Sequence, residues 1–278
     1  MQFVSTDCYL FVGGISKAWH AAWGERSRKT TFQAALQSVP CAVVVHASLD
    51  VVQWCRTHGF PWDELTCMWA AEQGRLDVLK WCRNNGCRWD RRTSYSAAQK
   101  GHLEVLKWCT ANGCPLDDDL CPSAAQAGHF EVMRWCRASG SPWDEDTCEA
   151  AARSGHFEIL KWCRENGCPW GPPTCSASAR EGNLELLRWS RENDCPWDES
   201  TCNWAARQGQ LDILKWCRSE GCPWSQTTCE WAVRGGHLEI FRWCRENGCD
   251  WDAARCRQVA ADLRLTEILR WCTEQLPL

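Results

Sequence analysis

Residues 147–170 read TCEAAARSGHFEILKWCRENGCPW, and the local signals in them are helical. Thr147 can act as an N-cap, its hydroxyl accepting an orphan backbone N–H. A short helix over 148–154 follows, favoured by Ala150, Ala151 and Ala152. Gly155 ends it, because glycine enters the left-handed region at little cost. Over 157–166, Phe157, Ile159, Leu160, Trp162 and Cys163 fall at helical spacing and predict a second helix. Glu158 near its start and Arg164 near its end both suit the helix dipole. Gly167 supplies the second cap, Pro169 blocks further helix, and Trp170 opens a link. Nothing alternates with period two, so no strand is predicted.

The same pattern recurs along the chain. Trp162 belongs to a series with Trp54, Trp81, Trp108, Trp135, Trp189, Trp216 and Trp243, spaced 27 residues apart, and Trp271 follows after 28. A period between about 20 and 50 residues marks a repeat array. Each unit reads as a helix-turn-helix that cannot bury its own apolar face, so stacking on the next unit must do it. The expected fold is an all-α solenoid of about nine such units. The end units are irregular: a first helix near 31–38 lies far from Trp54, and Ala260-Ala261-Asp262-Leu263-Arg264 replaces the usual Ala-Ala-x-x-Gly. Terminal repeats differ in this way because they cap the stack.

The 278 residues carry a net charge of -4, which argues against a nucleic-acid partner held by a basic surface. No apolar run approaches the roughly 18 residues of a membrane span, so membrane insertion is not expected. Tyr9-Leu10-Phe11-Val12 is short and has no basic residue before it, unlike a secretory signal. The chain is read as soluble and intracellular, cytoplasmic or nuclear, with reduced thiols.

The run Ala97-Ala98-Gln99-Lys100-Gly101-His102-Leu103-Glu104-Val105-Leu106-Lys107-Trp108, then Gly113-Cys114, resembles an ankyrin repeat. The likeness recurs over residues 66–250 and implies stacked helical hairpins that bind another protein. Three departures stand out. The unit has 27 residues against the family's usual 33, the shortfall lies in the link that carries the family's β-finger, and Thr-Cys replaces the Thr-Pro-Leu-His box. The finger is therefore expected to be reduced or absent. Residues 10–24, LFVGGISKAWHAAWG, are similar to the later half of an F-box through Ile15-Ser16-Lys17-Ala18-Trp19. The organisation expected is an N-terminal cap or F-box-like remnant over 1–29 and a repeat array over 30–278.

The 23 cysteines fall mainly in three columns: after the helix tryptophan, after the second glycine, and at the start of the first helix. Cys163, Cys168 and Cys175 represent a trio that could offer thiolates to zinc. Four of eight such trios are complete, and Phe60, Ser94, Ser141 and Ser190 fill the gaps elsewhere. That pattern favours cysteine as a small buried apolar residue, with serine accepted where packing is looser. No cofactor is expected.

The helix tryptophans and the link tryptophans (Trp62, Trp89, Trp143, Trp170, Trp197, Trp224 and Trp251) are expected in the core. Trp69, Trp204 and Trp231 occupy a position that elsewhere holds Ser96, Ser123, Ala150 or Ala177, so it is expected to be partly exposed. Arg153, Arg180, Arg207 and Arg234 form a basic stripe where earlier units place Glu72, Gln99 and Gln126. These seven residues are the candidate partner-binding set, placed by the family likeness on a concave face and suited to an acidic segment. Pairs such as Lys161 and Arg164, balanced by Glu158 and Glu165, read as a solvated face. The histidines of the Gly-His pairs (His102, His129, His156 and His237) read as capping or solvent-facing residues. No glycine-rich phosphate loop and no supported nucleophile–base pair is present, so an enzyme is not expected. The function expected is a protein-binding scaffold. The alternatives are a ubiquitin-ligase adaptor, a metal- or redox-responsive module, and a structural subunit of a larger assembly.

Overall fold

The computed structural model describes residues 48–57 and 62–275. The F-box-like segment, the predicted 31–38 helix and Phe60 lie outside them. Seventeen helices and no strand are found among the described residues. The second helices of the hairpins are α1 (Leu49–Thr57), α3 (Leu76–Asn84), α5 (Leu103–Ala111), α7 (Phe130–Ala138), α9 (Phe157–Glu165), α11 (Leu184–Glu192), α13 (Leu211–Ser219), α15 (Leu238–Glu246) and α17 (Thr266–Glu274). The first helices are α2 (Glu64–Glu72), α4 (Arg91–Gln99), α6 (Leu120–Ala127), α8 (Glu145–Arg153), α10 (Pro172–Arg180), α12 (Glu199–Arg207), α14 (Gln226–Gly235) and α16 (Ala253–Asp262). The architecture is an ankyrin-like α-solenoid, and short links without strands stand where a β-finger would be.

Most of these helices have nine residues, too few to persist alone in water. Packing supplies what length does not. In α12 the buried side chains are Thr201, Cys202, Asn203, Ala205 and Ala206, and in α13 they are Ile213, Leu214 and Cys217. The small alanines let one first helix approach the next closely, while the aliphatic pair of α13 closes the hairpin. By contact the chain forms two compact units, one ending at Asp117 and the other beginning at Asp118. Inside the first, α2 packs on α4. Inside the second, α6, α8, α10, α12 and α14 each pack on the first helix that follows.

The start of the first helix differs from the sequence expectation. Asp144, not Thr147, is the N-cap of α8, and its side chain accepts from the Asp146 N–H. Thr147 lies three residues into the helix, buried, where its hydroxyl accepts from the Asp144 N–H in a capping box. Asp63 with Thr66 and Ser225 with Thr228 repeat the device. The helix therefore begins at Glu145, since the threonine serves the cap from inside the first turn.

The histidines do cap, but on a neighbouring unit. His102 Nε2 lies 2.9 Å from the Glu72 carbonyl oxygen, and His237 Nε2 lies 3.1 Å from that of Arg207. Each ring donates to a carbonyl at the end of the preceding first helix, which has no intrahelical partner. Gly209 makes room for this bond: its φ is +80°, and a Cβ there would meet the His237 ring at 2.8 Å.

Candidate functional site

The 21 described cysteines are buried. The convergent trio is Cys202, Cys217 and Cys222, whose sulfurs all lie within 4.8 Å of one another. This corrects the grouping expected from sequence. Cys163 and Cys168 share hydrogen bonds with Cys148 of their own hairpin, whereas Cys175 interacts with Cys195. The second helix folds back onto the first helix that precedes it, so the trio closes within one hairpin. The link cysteine has a structural task in every complete unit. Cys168 Sγ lies 3.3 Å from the Asp144 carbonyl oxygen, Cys222 Sγ 3.4 Å from that of Asp198, and Cys249 Sγ 3.2 Å from that of Ser225. Each thiol donates to the N-cap residue of its own unit. Serine does not mark looser packing, as Ser190 is fully buried and its hydroxyl has no partner.

The regular tryptophans are half-buried instead of forming the core, with Trp170, 9% exposed, the exception among the link residues. A link tryptophan meets the helix tryptophan 19 residues later edge to face: Trp143–Trp162 at 5.6 Å, Trp197–Trp216 at 5.7 Å and Trp224–Trp243 at 5.8 Å between centroids. An arginine covers the link ring in turn. Arg83 sits over Trp89 at 4.1 Å, Arg164 over Trp170 at 4.7 Å and Arg218 over Trp224 at 4.3 Å. Arg83 and Arg218 also donate to the carbonyls of the link residues Cys87 and Cys222. Arg83 and Arg218 are half-buried against their rings, while Arg164 covers Trp170 and stays exposed, as expected of a solvated face. Because the arrangement recurs from unit to unit, it serves architecture.

The irregular positions lie on the first helices. Trp204 of α12 and Trp231 of α14 meet edge to face at 4.8 Å. The Arg180 guanidinium lies over Trp204 at 4.7 Å, and that of Arg207 lies 5.5 Å from Trp204 and 5.1 Å from Trp231. Arginine and tryptophan thus alternate in a cation–π ladder over three successive hairpins. The rings are half-buried, whereas Ser96, Ser123, Ala150 and Ala177 at the same repeat position are buried. A small residue there is covered by its neighbours, and an indole projects beyond them.

The ladder is bounded by cations that are already neutralised. Arg153 pairs with Glu149 at 3.4 Å. Glu230 receives Arg234 at 2.7 Å and Arg255 at 3.0 Å. Arg180 Nε stands 3.5 Å from Glu181, while Arg207 has no carboxylate within ion-pair reach among the described residues. Thus Trp204, Trp231, Arg180 and Arg207 come together, and Arg153 and Arg234 flank them in internal pairs. Trp69 belongs to the other compact unit and faces no second tryptophan among the described residues, where Ser96 holds the next equivalent position. Sequence reasoning named the ladder residues but not their stacking, which joins residues 24 to 27 apart. It missed Glu230 and Arg255; a negative residue one place before a Trp231-type position was the available signal.

The fold and these two faces define a helical-repeat protein whose regular positions build the stack and whose irregular ones vary its surface. Residues 67–108 match the family described as ankyrin repeats (many copies), and helical hairpins of the same form continue from there to residue 274. Among solved structures, the human ASB11 ankyrin repeat domain is similar at 16% identity, with a TM-score of 0.47 over 56% of this chain and 84% of that one. No curated protein is significantly similar to the chain. No helix among the described residues is long and apolar enough to cross a membrane.

Proposed function

We propose that the chain is a non-enzymatic protein-interaction scaffold that holds its partner on the first-helix face of its second compact unit, the side that the family likeness makes concave. One observation carries this reading. Trp204, Arg207 and Trp231 expose aromatic surface and a guanidinium without a carboxylate at the positions where the repeat departs from its own pattern. Tryptophan and arginine are the residue types that most often dominate binding energy at protein interfaces. Trp69 offers a smaller aromatic point on the other unit.

Co-purification with the intact chain and with a variant carrying Arg153→Glu, Arg180→Glu, Arg207→Glu and Arg234→Glu tests the proposal. The partner should be lost from the variant while its helical content is kept. Equal recovery of the same partner would remove this face from the function.

A further inference from the structure

We infer that the occupant of the Arg–Trp ladder is an extended acidic segment of the partner, with two carboxylate side chains three residues apart, one on Arg180 and one on Arg207. The inference rests on the reading that this face binds the partner, and adds the occupant's chemistry and spacing.

Charge sets the number of anchors. The Glu149–Arg153 pair and the Arg234–Glu230–Arg255 cluster are hydrogen-bonded internally, whereas Arg180 stands 3.5 Å from Glu181 with no hydrogen bond at its Nε and Arg207 has no carboxylate in reach among the described residues, so Arg180 and Arg207 are the receptive cations. Stacking against Trp204 and Trp231 restrains both guanidinium planes. A restrained guanidinium loses less entropy on pairing and can present two parallel N–H donors to one carboxylate.

Repeat spacing sets the distance between anchors. Arg180 and Arg207 are equivalent positions on α10 and α12, which pack directly. Packed helices stand roughly 8–10 Å apart. A polyproline-type segment rises about 3.1 Å per residue with three residues per turn, so its side chains i and i+3 point the same way about 9 Å apart. Alternate residues of a β-strand are only about 6.6 Å apart. A helix brings i and i+4 to about 6 Å and matches the repeat only at i and i+7.

Hydrogen bonding chooses the extended form over the helix. The indole N–H groups of Trp204 and Trp231 have no partner among the described residues, and neither is buried. A polyproline-type backbone makes no internal hydrogen bonds, so its carbonyls can accept from them. The carbonyls of a helix are already engaged with its own N–H groups.

The test is selection of short linear peptides from a display library on the intact chain, with each selected peptide then titrated against the Arg180→Glu and Arg207→Glu variants. Peptides with Asp or Glu at i and i+3 should dominate and bind the intact chain at least about tenfold more tightly than either variant. A peptide with lysine in place of one acid should regain affinity for the matching variant, which shows that the variant is folded and that the loss is one of charge. Peptides that depend on both arginines but place their acids at i and i+7, or show no fixed spacing, overturn the inference and leave the binding face standing. Peptides indifferent to both variants, or no enrichment at all, overturn the inference and count against the face as well.

Discussion

Ser190 stands where the eight other described second helices place cysteine after the tryptophan, and its hydroxyl is fully buried without a partner. A thiol tolerates that environment better, since it is a weak donor and packs as a small apolar group. Ser190→Cys should therefore raise unfolding stability by about 1 kcal/mol, read from urea denaturation; a loss would show that the hydroxyl is satisfied in solution. Two glycines test the histidine caps. Gly221 has φ +81° with nothing near its absent Cβ, whereas Gly209 has φ +80° and the His237 ring against it. Gly221→Ala should cost about 1 kcal/mol for the backbone alone. Gly209→Ala should cost roughly twice that, because the ring and its bond to the Arg207 carbonyl must also move. Equal costs would argue that the ring is not held there. At this scale the sequence was half legible. The cysteine columns were visible as columns, but the identity of each trio depended on a fold-back that no local signal encodes.

The hairpin itself was readable because both of its helices end on glycine and the tryptophans keep one register. The errors came at its joints. Asp144 and Thr147 are both good capping residues, and only the structure shows that they share one cap. The Arg–Trp packing joins residues six apart across a turn, where no helical or strand period applies. Internal variation did hold a clue: Thr110 replaces the arginine in the one link where Leu116 replaces the tryptophan. The chain divides into its two compact units one residue after Leu116. Restoring the pair should be cooperative. Thr110→Arg with Leu116→Trp should stabilise the protein beyond the sum of the single changes by about 0.5–1 kcal/mol, the size of a cation–π contact at a partly exposed site. A double-mutant cycle in urea with no coupling would contradict the assigned role of the arginine column.

The molecule as a whole concentrates thiols in its interior, and this has a consequence at high pH. Burial pushes Cys121 up to about 11, and Cys136 and Cys256 up to about 12. In the unfolded chain a thiol ionises near about 8.5. Between those values the folded state keeps protons that the unfolded state has released, so stability is intact below about pH 8 and falls as the pH rises towards 12. Urea midpoints that stay level to pH 11 would contradict this burial. The larger claim is that architecture and recognition are divided between regular and irregular positions. The regular Trp, Cys, Gly and His columns hold the stack together, and Trp204, Arg207 and Trp231, where the repeat departs from its pattern, are the residues we propose for binding. The direct measurement is the dissociation constant of the co-purified partner for the intact chain and for Arg207→Glu, with the urea midpoint of each. The account predicts at least a tenfold weaker complex with a midpoint that barely moves; unchanged affinity, or a loss of affinity that merely follows unfolding, would contradict it.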